Sequence, residues 1–115
     1  MSEVAMMFPV LPGKRDALIA FAQALSGERS AEYDAAQTSV EWENWFLQPT
    51  PMGDFCIMTM AAPDPAAVFA GLAASDGPFD AWFRGQVLEI TGVDLSVPPP
   101  GLPQQIFAWK SPATR

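Results

Sequence analysis

No histidine occurs in this chain of 115 residues, and there is a single cysteine, Cys56. These two scarcities exclude whole classes of chemistry. Without imidazole there is no Ser-His-Asp or Cys-His machinery and no histidine general base. A proximal-histidine haem and histidine-containing zinc sites are excluded too. One thiol makes neither an intrachain disulfide nor a thiolate zinc site. Positive charge is also scarce: six Lys and Arg against thirteen Asp and Glu give a formal net charge of −7. The only adjacent basic pair is Lys14-Arg15. Phosphates repel such a chain, so neither nucleic acid nor an anionic membrane surface is an expected partner.

Long apolar runs are missing. The longest, Val4 to Pro12, is about half of the roughly 18–20 residues a membrane helix needs. Met1-Ser2-Glu3 carries no basic stretch and is not expected to open a secretory signal. A lone cysteine fits a reducing, cytoplasmic setting. What the chain does have is apolar bulk: 50% of it is hydrophobic, including four tryptophans and eight phenylalanines. That is enough for one core without staples, and too apolar for disorder. At this length roughly 60–70% of the unfolded surface becomes buried. We expect a single domain over residues 1–110 and a flexible tail over 111–115.

Hydrophobic spacing lays out the elements. Val4–Val10 is nearly all apolar and reads as a strand buried on both faces. Leu18, Phe21, Ala22 and Leu25 fall at i, i+3, i+4, i+7, a helical stripe within Gly13–Ser26, with Pro12 in its first turn. Gly27 stops or kinks it, and a second helical piece covers Glu28 to about Gln37. Val40–Gln48, rich in aromatics, reads as a strand, as does Phe55–Ala61. The Pro49–Asp54 cluster between them makes a hairpin of open register. Asp64-Pro65 starts a helix as cap and first residue. Asp76 reads as a second cap before a helix carrying Phe79, Trp82, Phe83, Val87 and Ile90, stopped by Gly92. Val97–Pro103 holds four prolines and reads as polyproline-like. Ile106–Trp109 fits a last strand.

The order is β-α-β-β-α-β with each helical part broken in two, an α+β, ferredoxin-like arrangement of four antiparallel strands with helices on one face. Alternation raises a covering problem. Along Glu41–Gln48 and Phe55–Met60 both side-chain sets contain large apolar groups. Helices explain one sheet face. The other exceeds the apolar patch a monomer normally exposes, which implies a second copy related by two-fold symmetry.

The segments Phe8-Pro9-Val10-Leu11-Pro12-Gly13-Lys14, Gly53-Asp54-Phe55, Asp64-Pro65-Ala66-Ala67, Pro78-Phe79-Asp80-Ala81-Trp82-Phe83 and Gly92-Val93-Asp94-Leu95 carry a likeness along nearly the whole chain. It resembles the dimeric α+β barrel superfamily, which includes antibiotic biosynthesis monooxygenase-like and stress-responsive barrel proteins. Within it, the chain looks like a set of small uncharacterised bacterial members. The resemblance implies two ferredoxin-like units paired into a barrel, each able to hold a pocket between sheet and helices. Members of the superfamily include cofactor-independent oxygenases, isomerases and haem-using enzymes. This chain lacks the histidine of the haem-dependent members, so no catalytic residue is carried over and no cofactor is expected.

Candidate ligand-binding residues are Tyr33, Trp42, Asn44, Trp45, Trp82 and Arg84. Asn44 between Trp42 and Trp45 can orient a ligand in an aromatic pocket; alternatively the indoles are core or interface packing. Arg84 can take a carboxylate in a bidentate grip, or pair with Asp80 one turn earlier. Tyr33, the only tyrosine, is a proton donor or a helix-face residue. Cys56, mid-strand among Met and Ile, reads as a small hydrophobe with a raised pKa. Glu41 and Glu43 share a strand face, as an acid–base pair or as a solvated strand end. Lys14-Arg15 reads as solvent-facing. Of the six methionines (Met1, Met6, Met7, Met52, Met58, Met60), those in strands read as core filler. Two functions follow: a homodimer that binds an apolar or aromatic small molecule, with cofactor-independent oxygenase-like activity as an extension, or a non-catalytic structural or regulatory dimer.

Overall fold

The structure, a computed structural model, describes residues 2–115; Met1 lies outside the described residues. The elements run β1 (Ser2–Val10), α1 (Arg15–Ser26), α2 (Ser30–Ala36), β2 (Trp42–Thr50), β3 (Gly53–Ala62), α3 (Pro65–Ala74) and α4 (Pro78–Thr91). The three strands form one antiparallel sheet in the order β1-β3-β2. This is the expected α+β class with its broken helices, but with three strands rather than four.

Period-two alternation sorts the side chains of the sheet. Val4 and Val10 from β1 and Cys56, Met58 and Met60 from β3 turn toward the helices. They meet Leu18, Phe21 and Leu25 of α1, Phe69 of α3, and Val87 and Ile90 of α4 in one core. Met60 and Ile90 are its most deeply buried large side chains. Burying a side chain of this size stabilises by about 1.5–3 kcal/mol. The opposite sheet face carries no helix. There Met7, Ile57 and Phe46 lie side by side across the three strands, with Met7 64% and Phe46 57% exposed.

Turn chemistry fixes the joints. Gly13 sits at φ +78 and the Lys14 N–H donates to the Leu11 carbonyl at 3.0 Å, so Leu11-Pro12-Gly13-Lys14 is a turn of the Pro-Gly kind. Pro12 therefore precedes the helix instead of opening it, and α1 starts at Arg15. The hairpin is tighter than expected: Thr50 pairs with Gly53, leaving a two-residue loop, Pro51-Met52. The Thr50 hydroxyl donates to the Gly53 carbonyl at 2.6 Å and accepts from Met52 N–H at 3.1 Å, which holds the register. Asp64 caps α3 as expected, accepting from Ala67 N–H at 3.2 Å. Asp76 caps nothing. Gly77 is the residue before α4, and the Ser75 hydroxyl accepts its N–H. Gly92 ends α4 in the left-handed region at φ +77, and the neighbouring Leu11 N–H reaches the Ile90 carbonyl at 2.8 Å.

The C-terminal segment departs from expectation. Ile106–Trp109 pairs with no strand. Pro98, Pro99, Pro100 and Pro103 lack N–H donors and cannot serve a strand ladder; the segment bends at residues 97 and 100–101, and Leu102 still packs partly buried against the core. Residues 103–115 are exposed throughout, ending in a 3-10 turn at Pro112–Thr114. Ile106 is 90%, Phe107 78% and Trp109 66% exposed.

Candidate functional site

A cavity of about 370 Å³ lies between the helical layer and the sheet. Its walls are apolar and aromatic, and its polar end is built around Glu43. Alternation along β2 places Glu43, Trp45 and Leu47 on the helix side, while Trp42, Asn44, Phe46 and Gln48 face away. Glu43 stands directly across from the buried Met60, and Trp45 across from Met58. The Gln37 side-chain amide donates to Glu43 Oε1 at 2.8 Å, and the Trp45 indole Nε1 donates to Oε2 at 2.5 Å. Gln37 closes α2, and Tyr33 precedes it by four residues on the same helix face. One helical turn thus brings a phenol and an amide to the same carboxylate.

The Tyr33 ring stacks on Phe83 at 5.9 Å and 15° and lies 6.4 Å from Phe79. Phe21 gathers the rest of the aromatic wall, with ring centroids 5.4 Å from Trp45 and 5.2 Å from Phe83. Burial first, then the charge of Glu43, push the Tyr33 phenol well above its ordinary value, so it stays protonated. The same causes in the same order push the Cys56 thiol up to about 11. Cys56 lines the cavity as a neutral thiol, as its apolar strand context implied.

The sequence candidates divide. Tyr33 and Trp45 line the cavity. Trp82 does not: it packs edge-on against Phe21 at 5.5 Å, and the Arg29 guanidinium covers its face at 3.9 Å. Trp42 lies on the open sheet face. Asn44 is absent from this cavity but lines a second, more open pocket of about 360 Å³, shared with Ala22, Leu25 and Ser26 and with Tyr33, Glu43 and Trp45. Arg84 neither lines the cavity nor pairs with Asp80. Its Nη1 donates to the carbonyls of Leu72 at 2.7 Å and Ser75 at 3.0 Å, pinning the end of α3 to α4. Lys14 and Arg15 are not free either; they bridge Glu89 and Asp54.

Of the Glu41–Glu43 pair only Glu43 lines the cavity, while Glu41 stays exposed, so the two do not act together; Gln37, which the sequence did not single out, is the donor to Glu43, and Asp80 lies on the wall. The signal for Glu43 was its company, since it shares a strand face with Trp45 and Leu47, which belong inside. Among the described residues no group of three or more acidic or cysteine side chains is placed to hold a metal ion. No family model, curated protein or solved structure matches this chain.

Proposed function

We propose that this protein is a homodimer that binds a small apolar or aromatic molecule in the cavity between its sheet and helices. The observation that carries this reading is a cavity of about 370 Å³ with aromatic walls and one hydrogen-bonded carboxylate, Glu43, at its polar end. Apolar walls with few, fixed polar groups are the usual form of a small-molecule site. Cofactor-independent, oxygenase-like chemistry, the kind implied by the resemblance to dimeric α+β barrels, is the extension of this reading. It assigns Glu43 the role of proton acceptor. The single buried thiol suits a cytoplasmic setting.

The dimer rests on a separate observation. The open sheet face and the unpaired Ile106–Trp109 segment are both apolar and both exposed. In this proposal each copy's C-terminal segment docks on the sheet of its partner as a fourth strand, completing a ferredoxin-like unit. The same observation favours the second reading, a non-catalytic structural or regulatory dimer.

Two measurements test the proposal. Tryptophan fluorescence is titrated with a panel of aromatic and quinone-like compounds. Quenching that disappears in Trp45→Phe supports the cavity, and no response to any compound refutes it, leaving the non-catalytic dimer. Light scattering at micromolar concentration reads the mass: twice the chain mass, falling to one on truncation after Pro103, supports strand exchange, whereas a monomeric full-length chain refutes it.

A further inference from the structure

We infer that the cavity selects an uncharged or cationic aromatic molecule that presents an O–H or N–H donor to Glu43, and that it rejects carboxylates and phosphates. This inference rests on the reading of the cavity as a binding site and names the class of ligand it takes.

The charge inventory carries the argument. Among the described residues lining the cavity, the only charged groups are acids, Glu43 and Asp80; no lysine or arginine is present. The basic residues of the folded body are all engaged elsewhere. Lys14 bridges Glu89 at 3.4 Å, and Arg15 bridges Asp54 at 2.7 Å. Arg29 lies over Trp82 and reaches Glu32, and Arg84 holds the Leu72 and Ser75 carbonyls. The two remaining cations, Lys110 and Arg115, sit on the exposed C-terminal segment. An anion entering this cavity loses its hydration, gains no counter-charge and faces two carboxylates.

Glu43 offers the opposite. A carboxylate only accepts, and has about four lone-pair sites on its two oxygens. Gln37 and Trp45 occupy one site on each oxygen, which fixes the group's orientation, and with the Tyr33 phenol as a third donor beside it the carboxylate still keeps one acceptor site. The phenol of Tyr33 stays protonated, so it adds no second anion there. A ligand donor reaching Glu43 makes a charge-assisted bond in apolar surroundings, the stronger kind of hydrogen bond. A volume of about 370 Å³ lies toward the small end of ligand sites, which fits a molecule of one or two rings.

A matched probe series tests this: 2-naphthol, naphthalene, 2-naphthylmethylammonium and 2-naphthoate, titrated calorimetrically into the full-length protein at neutral pH. The expected result is that the naphthol and the ammonium bind about tenfold or more tighter than naphthalene, with naphthoate weakest. Glu43→Gln is expected to erase most of the preference for the ammonium over naphthoate. If naphthoate binds as tightly as naphthol or the ammonium, the inference is overturned while the cavity reading stands. If no probe binds, the cavity reading itself falls, and the inference with it. Should Glu43→Gln fail to fold by circular dichroism, the wild-type ranking alone still decides.

Discussion

Glu43 and Trp45, two residues apart on the inward face of β2, are joined side chain to side chain, with the indole Nε1 donating to the carboxylate at 2.5 Å. The bond holds an acid in apolar surroundings beside Met58 and Met60, and spacing along one strand makes it possible. Trp45→Phe keeps an aromatic ring but removes the donor. We expect a loss of about 1.5–3 kcal/mol of stability in urea unfolding, the range for hydrogen bonds to charged groups. A loss below about 0.5 kcal/mol, ordinary for an inconsequential surface change, contradicts this account.

Arg84 is a structural brace rather than a ligand contact. Arg84→Ala strips two carbonyls at the end of α3 of their donor. We expect destabilisation of about 1–3 kcal/mol by urea unfolding, and naphthol affinity within about twofold of wild type in the folded variant. A stable variant with weakened binding would return Arg84 to the site.

Cys56 is buried and its thiol is raised from an ordinary 9.0 to about 11. The native fold disfavours the thiolate, so stability is at its full value below the ordinary pKa and falls as pH rises from there through about 11. Alkylation by iodoacetamide at pH 8 is expected to be slow in native protein and fast in urea. Similar rates in both would mean an accessible, reactive thiol.

Arg15 grips Asp54 with two bonds of 2.7 and 2.8 Å, tying the start of α1 to β3. That contact holds the Asp54 carboxyl below its ordinary value. A depressed carboxyl contributes stability above the ordinary carboxylate range and loses it as pH falls through the lowered value. In NMR titration Asp54 should ionise at lower pH than a free aspartate, and Arg15→Gln should restore it. Both groups face solvent, so added salt should shrink the difference. An unchanged Asp54 titration in Arg15→Gln removes the bridge as its cause.

Local signals written into single residues were legible. Asp64-Pro65 announced a helix, Gly92 stopped one, and alternation in β2 and β3 separated two apolar sheet faces. Two members of the cavity's aromatic wall, Tyr33 and Trp45, were legible too. Trp82 and Arg84 misled because composition and spacing describe what a side chain can do, not which neighbour claims it. An indole under Arg29 and a guanidinium on two carbonyls are already engaged.

By itself the sequence determined the α+β class, the order of the elements from β1 to α4, an acidic net charge and the absence of imidazole chemistry, because these follow from residue type and local period. Only the tertiary structure decided that Glu43 turns inward to meet Gln37 and Trp45. That contact joins a strand to a helix end, and no local rule spans the gap. Tertiary structure likewise left Ile106–Trp109 unpaired: a β-prone segment becomes a strand only where an edge accepts its backbone, and beyond Leu102 this one stays exposed and without a ladder partner.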